Sequence, residues 1–322
     1  MSPRPVKLVS ASLAALAAIA SPAVFSGTSS AAPPTAQVTF TEAARPAAGI
    51  PPVTAIGIKA DDAGESGPAQ VLVLVDTSAS QTGEHRRRAL DAVAGLLEQA
   101  RPDDRFAIAA VDVACTPLAK EFKPARDAAT AQGARALDGR TPLGSTDIVA
   151  GLTAAADLFG GDPPAGPRAI VYVGDGPGLT GLDPAEFSQV IDTLRSKRIA
   201  VSSLGIGPQI NWPCLAAVAN ATGGMLLVPE TQQPAKEAGG RIGAAAVKAV
   251  AWPEDVALSS DVAKAGLRLL PSRLPPLRSD RDSVVLVEGP LDNGRLELRL
   301  ARGGEQGPAT LALPAAHPKD EN

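Results

Sequence analysis

The sequence predicts an α/β fold: a doubly wound, mostly parallel sheet with helices on both faces, followed by a small C-terminal β-rich module. Two observations carry that prediction. Between residues 71 and 228, short continuous apolar runs alternate with amphipathic helical patterns. Strands that are apolar throughout, rather than at every second position, are what a parallel sheet covered on both faces requires. Beyond residue 253 the helical patterns stop, and short strand-like pieces separated by proline and charged turns replace them.

The elements follow in order. Residues 1–32 have the form of a signal peptide: Arg4 and Lys7 precede an apolar stretch from Leu8 to Ala20, and Ser30-Ala31-Ala32 supplies a small-x-small cleavage site. A retained anchor is the alternative, although the apolar stretch is short for a spanning helix. Residues 33–65 read as an Ala-, Pro- and Thr-rich linker with a lead-in strand at Val53 to Lys59. The α/β domain spans 66–230. Its strands are expected at Val71–Val75, Phe106–Val113, Ala169–Val173, Ile199–Ile206 and Met225–Val228, with Leu118–Phe122 as a hairpin partner of the second. Helical patterns cover Glu84–Ala100, Ala125–Leu137, Asp147–Phe159, Pro184–Arg195 and Leu215–Ala221. Residues 231–252 form a connecting helix, centred on Glu237 to Val250. Residues 253–316 form the β-rich module, whose own strands are few for a closed core, so it should pack on the first domain. A polar tail occupies 317–322.

Composition narrows the function classes. The 322-residue chain is 45% hydrophobic, enough for a sizeable core. Its formal charge of −4 becomes −6 when Arg4 and Lys7 leave with the leader, which argues against a nucleic-acid partner. The only dense basic run, Arg86-Arg87-Arg88, fans around a helix and reads as a solvated face. Aromatic residues make up only 3%, too few for base-stacking platforms. No apolar segment beyond the leader reaches membrane-spanning length. The expected location is therefore exported: periplasmic, in the cell envelope, or extracellular. Cys115 and Cys214 read as two buried thiols, with a disulfide as the alternative in an oxidising compartment. The only histidines, His85 and His317, are not placed beside either cysteine, so no thiol nucleophile is indicated.

In open α/β sheets ligands bind beyond the carboxyl ends of the strands. Three segments bring oxygen ligands to that edge. The loop after the Val71–Val75 run carries Asp76, Ser78 and Ser80, whose alternate spacing lets a turning loop point all three inward. Thr146 lies just before the Asp147 helix, and Asp175 ends the Ala169–Val173 strand. Two carboxylates and three hydroxyls, completed by water, suit an octahedral hard cation: Mg²⁺, with Mn²⁺ or Ca²⁺ as alternatives. Each residue taken alone has a plainer use, since strand-end Asp and Ser make turns and Thr146 can cap the following helix.

Together, Asp76-Thr77-Ser78-Ala79-Ser80, Leu143-Gly144-Ser145-Thr146-Asp147 and Val171-Tyr172-Val173-Gly174-Asp175-Gly176 resemble the three segments of a von Willebrand factor type A (vWA) domain's metal-ion-dependent adhesion site. The resemblance covers about 66–230 and implies a Rossmann-like sheet. It also implies that Asp76, Ser78, Ser80, Thr146 and Asp175 hold the metal, partly through water, and that an acidic side chain of another protein completes the coordination. The Thr77-to-Gly83 stretch resembles vWA proteins of secreted bacterial type more than animal receptors. One departure stands out: the family usually has Thr before the last Asp-Gly, where this chain has Gly174, so a supporting hydroxyl is missing but no direct ligand.

The resemblance makes the expected function protein binding or adhesion rather than catalysis, with no catalytic residue assigned. The first rival is an envelope scaffold carrying a residual metal site; a metal-dependent hydrolase is the second. A haloacid-dehalogenase-like phosphatase needs an acid at 78, where Ser78 stands. Aspartic proteases carry Asp-Thr-Gly, usually twice, and a dinucleotide fold needs glycines directly after the first strand.

Overall fold

The computed structural model describes residues 35–43, 51–62, 67–161, 166–178, 182–230, 232–258, 267–289, 294–302 and 305–313. The expected leader and polar tail lie outside them. In chain order the elements are β1 (Ala36–Ala43), β2 (Val53–Ala60), β3 (Gln70–Asp76), α1 (Gly83–Glu98), β4 (Arg105–Val111), β5 (Cys115–Pro124), α2 (Ala128–Asp138), α3 (Ile148–Asp157), β6 (Arg168–Gly174), α4 (Pro184–Ser196), β7 (Ile199–Gly205), α5 (Trp212–Thr222), β8 (Leu226–Leu227), α6 (Ala235–Ala246), β9 (Val250–Leu258), β10 (Arg268–Leu270), β11 (Leu277–Arg278), β12 (Ser283–Glu288), β13 (Gly294–Arg302) and β14 (Glu305–Leu313).

The central sheet runs β5-β4-β3-β6-β7-β8, parallel except for β5, which pairs antiparallel with β4 as a hairpin. The pleat sorts β3 between two cores. Val71, Val73 and Val75 pack with Ala92, Val93 and Leu96 of α1 and with Ala238 and Ile242 of α6. Leu72 and Leu74 pack on the other face with Ile148 and Leu152 of α3, Leu194 of α4 and Leu215 of α5. With both faces covered, the strand has no polar side to show, so its apolar run is continuous. Asp76 is the first residue of β3 at which this run breaks.

The β-rich part departs from expectation. Residues 36–43, read above as linker, form β1, which pairs with β2. The alternation Val38-Thr39-Phe40-Thr41 is a strand signal, but it is short and set in an Ala- and Pro-rich stretch. β2 in turn pairs with β12, giving a sheet of order β1-β2-β12-β10, while β11-β9-β13-β14 form a second. The chain's N-terminal flank thus supplies the strands that the C-terminal module lacks. Ile56 and Ile58 of β2 share one core with Leu274, Leu277, Val285, Val287, Leu300 and Leu311. The connecting helix is also shorter than expected: α6 stops at Ala246, and Val250 already pairs with Arg278 as β9 begins.

Three guanidinium groups attach these strands to the α/β unit through backbone carbonyls, all but Leu274 O in the last turn of α5 or α6 or just past it. Buried Arg278 donates to Gly223 O at 3.2 Å and Ala245 O at 2.9 Å, and makes a two-pronged contact with Asp280 at 2.8 and 2.7 Å. Arg281 donates to Gly224 O. Arg195 of α4 spans Ala221 O and Leu274 O at 2.8 and 3.0 Å. The hydrogen bond from Arg278 holds the Asp280 carboxyl below the usual carboxylate range, with partial burial opposing. A carboxyl whose pKa is lower in the folded state stabilises the fold above its unfolded value of about 3.9, and that stability is lost as pH falls through the folded value. Thermal unfolding should therefore show an acid-side loss of stability below about pH 4. Asp280→Asn should reduce that loss; an unchanged acid profile in the variant would contradict it.

Candidate functional site

The loop after β3 is built by backbone pairing before any ligand chemistry enters. Thr77 N donates to Val111 O at 2.7 Å, Leu143 N to Thr77 O at 2.9 Å and Ala79 N to Gly144 O at 2.9 Å. These tie the loop to β4 and to the segment before α3. Gly144 lies at φ 76°, a left-handed turn that glycine adopts without strain. A side-chain clasp adds to this: Arg140 donates to Thr77 Oγ1 at 3.0 Å and pairs with Asp112 at 2.7 Å, while Thr77 Oγ1 donates to the same carboxylate at 3.0 Å. Asp147, not Thr146, caps α3 by accepting from Ala150 N at 2.9 Å. The plainer use for Thr146 is thus already taken by its neighbour, and its hydroxyl is free to act elsewhere.

All five residues singled out in the sequence meet at this edge. Ser78 Oγ and Ser80 Oγ are 3.0 Å apart, Ser80 Oγ donates to Asp175 Oδ1 at 3.0 Å, and Thr146 Oγ1 donates to Asp76 Oδ2 at 2.8 Å. Asp76 lies beneath and fully buried; the other four line a cleft of about 730 Å³, together with Pro177, Pro208, Ile210 and Pro213. Burial raises the Asp76 pKa, opposed by hydrogen bonds from Ser78 N, Tyr172, the Ser78 hydroxyl and Thr146.

The direction of these bonds determines what the site can do. An ionised carboxylate only accepts, so the Ser80 proton goes to Asp175 and the Thr146 proton to Asp76. Ser78 has one proton to place, either on Ser80 Oγ at 3.0 Å or on the Asp76 carboxyl. All three hydroxyls point their protons at acids or at each other and keep oxygen lone pairs for a cation. Among the described residues no group of three or more His, Cys, Asp or Glu could hold a metal ion. The oxygens gathered here are those of two carboxylates and three hydroxyls, donors of the class that hard cations accept.

Two residues at the site were not foreseen. Gln81 follows the Asp-x-Ser-x-Ser run directly and is fully buried; its Nε2 donates to Asp175 Oδ1 at 3.0 Å and to Ile206 O at 2.9 Å. Tyr172 donates to Asp76 Oδ2 at 2.7 Å. It is the chain's one tyrosine, and a single phenol in an otherwise apolar strand was the available signal. The basic run is also not uniformly solvated: Arg86 turns inward to donate to Leu137 O and Arg140 O, while Arg87 pairs with Glu84 at the surface. Cys115 and Cys214 are both free thiols, and burial pushes Cys214 up to about 11.

Comparison with known proteins fits this geometry. The family model described as von Willebrand factor type A domain matches residues 69–227. A solved structure described as von Willebrand factor type A from Catenulispora acidiphila superposes with a TM-score of 0.59 at 16% identity, covering 91% of this chain and 76% of that one. The ArnB paralog VWA2 from Sulfolobus acidocaldarius gives 0.51 at 13% identity, covering 89% and 77%. At these identities the likeness speaks for the fold alone, and it extends beyond the α/β unit to the flanking strands. A search of the curated proteins found no match.

Proposed function

We propose that residues 69–227, which match the family model of the von Willebrand factor type A domain, form such a domain, and that the cleft beyond β3 is a Mg²⁺ site through which the protein binds an acidic partner. The observation that carries this is the proton arrangement above: three hydroxyls with free lone pairs and two carboxylates, gathered from three separate segments. Ser78, Ser80 and Thr146 would offer hydroxyl oxygens, and Asp76 and Asp175 the negative charge. When bound, Mg²⁺ would supply an exchangeable coordination position for a carboxylate of the partner; Mn²⁺ or Ca²⁺ could substitute. With only two carboxylates, the site leaves the cation attractive to a further anion. The protein acts by binding and not by catalysis, and after export.

The surface around the cleft supports a protein partner. Within the α/β unit, the large hydrophobic side chains exposed among the described residues are Val113, Leu143, Trp212 and Val228. Each lies on a loop or helix start at the carboxyl end of the sheet, beside the cleft. Exposed apolar groups gathered at one edge, with a Trp among them, are typical of protein-binding faces. No helix among the described residues is long and apolar enough to cross a membrane.

A pull-down from envelope extract of the source cells, with Mg²⁺ and then with chelator, tests this reading. The expected outcome is at least one partner protein retained with Mg²⁺ and released on chelation. Identical bound sets in both conditions would overturn it in favour of a scaffold role.

A further inference from the structure

Beneath the cleft, each of its two acids is gripped by a buried side chain outside the five-residue set. We propose that Tyr172 and Gln81 are positioning residues of the cation site, Tyr172 holding Asp76 and Gln81 holding Asp175; this rests on reading the cleft as a cation site.

Tyr172 is fully buried, and its hydroxyl does two things at once. It donates to Asp76 Oδ2 at 2.7 Å and accepts from Gly176 N at 2.9 Å. One oxygen thus fixes the carboxylate at the end of β3 to the backbone turn just after Asp175. Gly174 makes this contact possible. A Cβ at 174 would stand 2.6 Å from the Tyr172 hydroxyl and 2.3 Å from Asp76 Cβ, closer than real atoms approach. The missing threonine hydroxyl at 174 and the tyrosine at 172 therefore belong together: glycine clears the space, and the phenol reaches through it to the acid.

Gln81 shows the same division of roles by a different route. Both neighbours of its Nε2, the Asp175 carboxylate and the Ile206 carbonyl, are acceptors, so the amide can face them only with its NH₂ group. Its Oε1 is then left buried with no hydrogen-bond partner. A leucine of similar size would remove that unmet acceptor but would take the donor away from Asp175 Oδ1 and Ile206 O. The amide leaves its own oxygen unmet while its NH₂ group holds Asp175.

The test titrates Mg²⁺ calorimetrically into the full chain and into Tyr172→Phe and Gln81→Leu, with thermal unfolding of each in chelator. Loss of such supporting contacts typically weakens metal binding roughly 10–100-fold, and that is the shift expected in both variants. Gln81→Leu takes the donor from Ile206 O, so its unfolding temperature in chelator should fall. The titration is run well below that temperature, where a merely structural role would leave the Mg²⁺ affinity of the folded protein unchanged. Should Tyr172→Phe fail to fold, Gln81→Leu decides. Wild-type binding with unchanged affinity in the variants would overturn the positioning roles and leave the cation site standing. A wild-type chain that takes no Mg²⁺ would overturn the cation reading itself.

Discussion

Asp76→Ala is expected to abolish Mg²⁺ binding by the full chain while leaving a folded protein. Asp76 is fully buried beneath the cleft, and donors converge on it, among them Ser78 N at 2.8 Å, Thr146 Oγ1 at 2.8 Å and Tyr172 Oη at 2.7 Å. Removing it takes away one of the two negative charges and releases Thr146 from the position in which its lone pairs are free. It also leaves buried donors unmet, a cost of about 1–3 kcal/mol per group when no water enters. Burial disfavours the carboxylate that is removed, which offsets part of that cost in chelator. Calorimetry and denaturant unfolding on one preparation read both quantities. A variant that still binds Mg²⁺ with wild-type affinity would contradict the assignment of Asp76.

The largest purely structural effect is expected at the contact between α1 and α6. A Cβ on Gly95 would lie 1.9 Å from Lys236 O, and one on Gly239 would lie 1.9 Å from Ala92 O. The two helices touch backbone to backbone, and no rotamer change can make room. Gly95→Ala must push α6 outward, away from the β3 face it covers. Overpacking typically costs about 1–3 kcal/mol, and a clash with backbone should reach the upper end. For a chain of 322 residues about 3 kcal/mol corresponds to a fall in Tm of roughly 5 °C. Gly160→Ala, where an added Cβ meets nothing within 4 Å, is the matched control and should leave Tm unchanged. Equal Tm values for the two variants would show that the helices have slack.

α1 begins directly after the Ser78–Ser80 loop, and α6 ends where the flanking strands begin. Their close contact therefore connects the cleft to the rest of the molecule. Arg278, which donates to Ala245 O at the end of α6, continues that connection into the strand module.

The α/β unit was legible in the sequence because its signals are local. Continuous apolar runs such as Val71–Val75 follow from two-sided burial, and the helices carry their own periodicity. The site was legible for a related reason: hydroxyls and acids at strand ends have few plain uses when three such segments occur in order. What escaped notice depends on pairing at a distance. β1 gains its stability from β2, and β2 from β12, more than two hundred residues along the chain, so no local pattern names the partner. Short β11 was missed for the same reason, being defined by its pairing with β9. Gln81 and Tyr172 escaped because a buried amide and a single phenol look like ordinary core or turn residues until their bonds to Asp175 and Asp76 are seen. Gly174, which appeared only to lack a hydroxyl, proves to make room for one from Tyr172.

Crystals of the full chain grown with Mn²⁺ test the central claim most directly, through anomalous difference density. The account predicts one strong peak in the cleft, at about 2.0–2.3 Å from at least two of the Ser78, Ser80 and Thr146 hydroxyl oxygens, with waters completing the shell. A cleft without a peak, while Mn²⁺ binds elsewhere on the same chain, would contradict it.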